Sequence, residues 1–369
     1  MPEPPYSEGG AAGRCAAGLL SGLHADGRVE LSAIAASLPG APKGAAPPGV
    51  PVEIVSVSAQ ERPEAWWDLV RRPLGHLSRG EFGDRVRRLA ADADVLYLDQ
   101  TQTAWCSLGT EIPSVVHLHY LALLDHPHVP RHPRALALRF GVAAAQRYAW
   151  ERHRFLVANS TVVADELRQW APRADVTVVP LVLEPEHYEP SLDGGEPVVG
   201  FIGTGSWPMT NSAVRRLVQR VWPLVRREVP DAKLRVAGRG MDELGLPVGD
   251  GVEIQGEVPS GAAFMRDASV LLFPAVRGSG TKVKVLEALA TGLPVVTTAV
   301  GTEGIAENDG VVVAEDDQTL ARAAVSILRD LDERRQRGAA GLQAFKNGHT
   351  PKVAAALLFE LYSRMANSG

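Results

Sequence analysis

Cysteine is almost missing from this chain of 369 residues: Cys15 and Cys106 are the only two, far apart and without flanking partners. That excludes a zinc cluster or a disulfide framework and makes a reducing cytoplasm the expected compartment. No apolar run approaches the length of a transmembrane helix. The opening Met1-Pro2-Glu3-Pro4-Pro5-Tyr6 lacks the basic and apolar regions of a signal peptide. With a net charge of −5 and a pI near 6.1, nothing global points to nucleic acid. No short-period repeat is present. Lysine is scarce as well, six among 38 basic residues. What the chain does have is length for two domains and, at 45% hydrophobic residues, enough apolar content for two cores.

The most informative stretch runs from Phe273 to Thr298: strand end, glycine-rich loop, short helix, glycine stop, new strand. Gly278 and Gly280 let the loop backbone approach a ligand. Ser279 or Thr281 is the expected helix cap. Gly292 suits the position after the helix, and Pro294 prevents its continuation. A helix start gathers unpaired N–H groups and partial positive charge, a natural seat for phosphate. Two of the six lysines, Lys282 and Lys284, fall here. Glu287, on a mostly apolar helix, must be exposed, paired or holding a ligand. The plain alternative is a surface pair of Lys284 with Glu287, three apart on one helix face; it leaves the glycines and Lys282 unexplained.

In the first half, Gly9-Gly10 reads as the turn before a helix over Arg14–Leu23, with no strand in front of it. Strands are expected at Val29–Ala36, Val52–Val57, Val95–Leu98, Val115–Leu118, Phe155–Ala158 and Val176–Val179. Asp99 to Gln102 and His119 fall at strand exits, where open α/β sheets bind ligands. Trp66 and Trp67 begin a helical region and read as packing residues. Pro133–Arg154 reads as an arginine-rich helix, a solvated face or a contact for a membrane surface or anionic acceptor. Asn159-Ser160-Thr161 caps a helix over Val162–Trp170. Residues 183–197, with four glutamates and three prolines, read as a linker. Strands at Val198–Ile202, Leu234–Ala237, Val252–Gln255, Val270–Phe273 and Pro294–Thr298 then alternate with helices, including 212–228, Gln318–Arg335 and Lys352–Met365. That alternation predicts a parallel sheet covered on both faces. Gly203-Thr204-Gly205 alone is a weak nucleotide signal.

Gly280-Thr281-Lys282-Val283-Lys284-Val285-Leu286-Glu287-Ala288-Leu289-Ala290 followed by Gly292-Leu293-Pro294-Val295-Val296 resembles the donor-binding signature of retaining glycosyltransferases of the GT4 family. The resemblance implies the α/β GT-B architecture, two Rossmann-like domains whose parallel sheets face an interdomain cleft. The domains are expected at 1–182, for the acceptor, and 198–350, for the nucleotide sugar. Residues 351–369 would form a helix crossing back to the first domain. The missing first strand then implies a start upstream of Met1, or a strand that is absent. Site roles also follow from the resemblance. Gly203, Arg277, Ser279, Gly280, Thr281 and Lys282 would meet the donor diphosphate, and Gly9 and Gly10 would lie near it. Glu287 would hold the ribose hydroxyls, and Val258 would sit at the nucleobase. His119, with His117 as second choice, would face the donor sugar; His119 and Lys282 are the expected catalytic pair. The family pattern carries two glutamates eight apart, and here the first position is Ser279. The family's arginine and lysine after the Gly203 strand are replaced by Trp207-Pro208 and Asn211, leaving Lys282, then Arg277 or Arg239, with Arg14 from the other domain, to supply charge. No cofactor and no metal are expected. The expected partners are a nucleotide-sugar donor and a saccharide, lipid-linked sugar or natural-product acceptor, with peripheral contact at the inner membrane face. Competing readings are a non-catalytic partner subunit of the same fold and a nucleotide-sugar epimerase.

Overall fold

The protein is described here from a computed structural model covering residues 1–39, 44–57, 75–125, 133–190 and 196–367. Trp66 and Trp67 lie outside the described residues, as do parts of the stretch between the strands expected at Val29–Ala36 and Val52–Val57 and of the expected 183–197 linker. The chain divides into two compact units, Met1–Glu184 with Thr350–Gly369, and Pro185–His349.

The first unit holds two parallel sheets. β1 (Ala33–Ser37) pairs with β2 (Val52–Ser56). β3 (Leu96–Asp99), β4 (Ser114–Leu118), β5 (Phe155–Ala158) and β6 (Asp175–Val178) lie side by side in sequence order. β5 is apolar throughout and buried throughout, as a parallel strand covered on both faces must be. β1 begins at Ala33, not at Val29 as alternation suggested; Val29 and Leu31 pack against the core from outside the ladder. Met1 makes strand-like bonds to β1, its nitrogen donating to the Ile34 carbonyl and its carbonyl accepting from Ala36 N–H. The helices are α1 (Ala11–Asp26), α2 (Gly80–Ala90), α3 (Ala122–Asp125), α4 (Pro133–Arg152), α5 (Thr161–Trp170) and, from the chain's end, α12 (Pro351–Ala366). Ser160 caps α5, its hydroxyl accepting from Val163 N–H at 3.1 Å. α12 lays Ala354, Leu358, Leu361 and Met365 against Leu23, Val115, Phe155 and Val157. Gly22 lets α1 approach it, since a Cβ there would come within 2.2 Å of the Pro351 carbonyl oxygen.

The second unit is one six-stranded parallel sheet in the order β12-β11-β10-β7-β8-β9. Its strands are β7 (Val198–Ile202), β8 (Lys233–Ala237), β9 (Val252–Ile254), β10 (Val270–Phe273), β11 (Val295–Thr297) and β12 (Val311–Val313). The helices are α6 (Pro208–Arg216) and α7 (Trp222–Glu228), joined by a π-helical turn over Leu217–Val221, then α8 (Gly261–Arg266), α9 (Val283–Ala290), α10 (Asp317–Arg329) and α11 (Leu331–Gly348). The expected helix 212–228 therefore starts earlier, with Pro208 in its first turn. The expected Gln318–Arg335 helix is two helices, divided at Asp330, whose side chain accepts from Asp332 and Glu333 N–H. β12, α2, α3, α8 and the part of α11 beyond Arg335 are additions to the expected elements. The strand order reverses between β7 and β10, and ligands of doubly wound sheets bind at the carboxyl ends of the strands at such a point.

Candidate active site

At the β7/β10 reversal the chain emerges from β7 at Gly203 and from β10 at Pro274. The loops after β7 and β8 are laced together: Gly203 N–H donates to the Ala237 carbonyl at 3.0 Å, and Gly205 N–H to the Arg239 carbonyl at 2.8 Å. Gly238, at φ +125°, packs so close that a Cβ would lie 1.9 Å from the Gly203 carbonyl oxygen. The segment after β10 crosses this floor with Gly278 and Gly280 both at positive φ and then enters α9. The N-cap is Lys282, with no side-chain cap bond. That corrects the expected Ser279 or Thr281 cap: both are buried in the loop, 9% and 8% exposed. α9 ends as expected. Gly292 is left-handed at φ +70°, Leu293 N–H donates to the Ala288 carbonyl and Gly292 N–H to the Leu289 carbonyl, a Schellman closure.

The two lysines part company. The Lys282 ammonium donates to the Gly280 carbonyl and lies 3.6 Å from the Glu303 carboxylate. Glu303, from the turn after β11, also accepts the Gly280 N–H at 2.7 Å. The Lys284 side chain turns the other way, into the floor of the β7 exit. Its ammonium donates to Thr210 Oγ1 at 3.1 Å and lies 4.4 Å from the Phe273 ring centre and 5.3 Å from that of Phe201. It is so close under Gly203 that a Cβ there would come within 2.6 Å of Nζ. Burial pulls its pKa down to about 7; nearby Glu287 pulls it up and Lys282 pushes it further down. Glu287 is buried, and its carboxylate accepts from the Tyr188 hydroxyl at 3.0 Å. The surface Lys284–Glu287 pair is thus not what forms.

The remaining expected donor residues of this unit are scattered around that floor. Arg277 is half-buried, with its Nε enclosed and unpartnered. Val258 is half-buried in the loop beyond β9. Arg239 is paired with Glu257 at 3.0 Å, both well exposed.

In the first unit, the parallel register sets Asp99 beside His117, and His119 follows at the exit of β4. His119 Nε2 and Asp99 Oδ1 are 2.8 Å apart, and His117 Nδ1 is 2.7 Å from the Tyr97 hydroxyl. Burial pushes the Asp99 carboxyl up, but the charge and hydrogen bond of His119 outweigh it and hold the group at about 2. Burial drives His117 well below the usual imidazole range, so it stays neutral. Cys15, Ala16 and Leu19 of α1 line a small cavity with these three residues. Gly10 stands at the N-cap of α1, and Gly9 accepts from the Arg14 guanidinium. The Glu3 carboxylate lies against Gly10, its pKa raised chiefly by burial. Asp99, His117 and His119 also form the one group, among the described residues, whose ligand atoms converge closely enough for a metal ion. As hydrogen-bonded here, it is a carboxylate orienting an imidazole. A cavity of about 260 Å³ opens elsewhere, at the amino ends of β4 and β5 around Arg152, His153 and Arg154, the wrong end of the sheet for ligands.

Glu303, Tyr188 and the position of Lys284 were not among the expected site residues; Asp99 was expected at a ligand-binding strand exit, but not as the partner of His119. Glu303 did carry a signal, a carboxylate in a glycine-bearing turn, Gly301-Thr302-Glu303-Gly304, at the exit of a parallel strand.

The family described as Glycosyl transferases group 1 matches residues 196–330. A phosphatidyl-myo-inositol mannosyltransferase of Mycobacterium leprae is 30% identical over 324 residues, 80% of this chain and 81% of that protein. Sucrose-phosphate synthase of Thermosynechococcus elongatus superimposes with a TM-score of 0.68 over 95% of this chain and 92% of its own, at 17% identity. Anabaena HepE, solved with UDP and glucose, gives 0.65 over 98% and 97%, at 15% identity. With the βα-alternating units, the glycine loop at the strand-order reversal and a relative matched along four-fifths of both chains, this chain belongs to the group 1 glycosyltransferases and is built on the GT-B fold.

Proposed function

We propose that the protein is a retaining glycosyltransferase of the GT4 type that takes its sugar from a nucleotide diphosphate donor. The second unit would bind the donor and the first unit the acceptor. The observation that carries this reading is the floor at the β7/β10 reversal, where a glycine loop and a helix start carry Lys282 toward Glu303, Lys284 under the β7 exit and Glu287 to Tyr188. The helix start and the loop N–H groups other than that of Gly280, which Glu303 holds, suit a diphosphate, and Lys284 is an amine in a poorly solvated place, bonded to the Thr210 hydroxyl, that an arriving anion would charge. Glu287, fixed by Tyr188, suits ribose hydroxyls. In the reaction the bond from the anomeric carbon to the diphosphate oxygen breaks, and its electron pair leaves with the diphosphate. The acceptor oxygen forms the new bond on the same face, and its proton passes to the departing phosphate oxygen. His119, aimed by Asp99, is the residue of the first unit assigned to the donor sugar. Gly9 and Gly10 are assigned to the phosphates, and Val258 to the base. The acceptor is a saccharide, a lipid-linked sugar or a natural product. The phosphatidyl-inositol substrate named for the mycobacterial relative supports peripheral work at a membrane surface, and no described helix is long and apolar enough to cross one.

Calorimetric titration with UDP, GDP, ADP and dTDP tests the reading. One nucleotide should bind selectively, and both Lys284→Ala and Glu287→Ala should weaken it. Absence of binding by any of the four would remove the donor-site assignment.

A further inference from the structure

The loop that should receive an anion already holds a carboxylate. Glu303 reaches it from the turn after β11, 23 residues on from the N–H it accepts. Its side chain is only 6% exposed, and that of Lys282 12%. The same carboxylate therefore neutralises the lysine that sequence alone marks as the phosphate cation. A phosphate cannot share this spot, because two anions in a buried site repel strongly. A carboxylate is an acceptor-only group with about four lone-pair positions, and its natural partners beyond N–H and ammonium are hydroxyls. Ser279, the residue before Gly280, is buried in the same loop.

We propose that Glu303 is a specificity-determining residue of the donor site, its carboxylate gripping hydroxyls of the donor's sugar, while Lys282 and the Gly280 N–H hold that carboxylate in place. The inference rests on the donor-site reading above. It divides the site in two: Lys284, Thr210 and the loop after β7 on the charged side, and Glu303 with Lys282 on the uncharged, hydroxyl-rich side. A carboxylate fixed from two directions loses little freedom when hydroxyls bind, which is what a selective site needs.

The test compares each nucleoside diphosphate with its hexose conjugate on one protein: UDP with UDP-glucose, GDP with GDP-mannose, ADP with ADP-glucose, dTDP with dTDP-glucose. Wild type, Glu303→Gln and Glu303→Ala are titrated by calorimetry, with circular dichroism to check the fold. Glu303→Gln keeps an oxygen for the Gly280 N–H and so protects the loop. For whichever nucleotide binds wild type, both variants should hold the nucleoside diphosphate within about threefold of wild type. Both should shift the ratio of the two affinities against the sugar conjugate, by roughly tenfold in Glu303→Ala and less in Glu303→Gln. Equal loss of both ligands would make Glu303 a structural prop and overturn the inference. Tighter diphosphate binding with an unchanged ratio would make it a stand-in for phosphate and overturn it equally. If wild type binds none of the eight ligands, the donor-site reading itself fails, and this inference with it.

Discussion

Lys284 should make donor binding depend on pH in a way no surface lysine could. Its ammonium is enclosed by Thr210, Gly203, Phe201 and Phe273, and the ionised groups acting on it are Glu287 and Lys282 of its own segment. With its pKa at about 7, it is half charged at neutral pH and only about 10% charged at pH 8. An anion arriving above Gly203 favours the charged form and raises the pKa. The complex then binds more protons than the free protein, so affinity falls as pH rises. If pairing restores the value to that of an ordinary lysine, affinity drops by about fivefold from pH 7 to 8 and by close to tenfold from pH 8 to 9, roughly fiftyfold in all. Nucleotide phosphates titrate with a second pKa near 6 and are almost fully ionised by pH 8, so the fall between pH 8 and 9 belongs to the protein. Titration calorimetry at pH 8 in HEPES and in Tris should show uptake of about 0.9 proton per nucleoside diphosphate bound. Lys284→Met, a chain of similar length between the same two phenyl rings, should abolish the uptake, flatten the profile and weaken binding at pH 7 by roughly tenfold or more. Wild-type binding that is flat from pH 7 to 9 without proton uptake refutes the reasoning, and so does uptake that survives in Lys284→Met. The same pKa works oppositely on the free fold. The unfolded chain keeps this lysine charged up to about pH 10, so Lys284 leaves the second unit less stable at pH 7 than at pH 9.

Tyr188→Phe removes the hydroxyl that holds Glu287 at 3.0 Å and should lower stability by about 1–3 kcal/mol in urea unfolding, with weaker nucleotide binding; an unchanged midpoint would show that the bond carries nothing. Gly310→Ala would bring a Cβ within 2.4 Å of the Gly341 Cα, backbone against backbone, and should destabilise by about 2 kcal/mol or more, read as a lower urea midpoint. Asp99→Asn replaces an acceptor-only partner of His119 and should lower turnover by roughly tenfold to a hundredfold, with KM for the donor little changed; unaltered turnover and pH profile would show that the Asp99–His119 bond is only structural. Asp99 also contributes stability that is present above about pH 4 and lost as pH falls toward 2, so the variant's deficit in thermal melts should shrink on acidification.

Short apolar runs made much of the sheet framework legible. β5, β7 and β10 begin and end where hydrophobicity alone puts them, because a strand covered on both faces has no polar positions to blur it. β12 is only three residues long, and none of them is buried. α11 carries polar residues on most of its surface and buries Arg334, Gly338, Gly341 and Phe345; packing of small residues against Leu289 and Gly310 creates that helix, and no apolar period announces it. Local punctuation was readable where one residue suffices, as at Gly292. It misled at Ser279 and Thr281, where the loop runs one residue further before the helix starts. The site divides in the same way. Its glycine loop and Glu287 are contiguous in sequence. The contacts that decide what each group can do span 23 residues for Glu303, 74 for Lys284 with Thr210 and 99 for Tyr188 with Glu287, and only the closed sheet brings them together.

The unit that begins the chain is also the one that ends it, and this bears on its synthesis. α12 supplies Ala354, Leu358, Leu361 and Met365 to a core whose other side, Leu23, Val115, Phe155 and Val157, leaves the ribosome long before. Between the two lie all of residues 185–349, an uninterrupted stretch that closes its own sheet. At translation speeds of about 5–20 residues per second, the amino-terminal sheet waits on the order of ten seconds or more with an apolar face uncovered. The middle of the protein matures first, and the beginning is completed last. A nascent chain stalled before residue 351 should therefore carry a protease-resistant second unit and a first unit that chaperones still recognise.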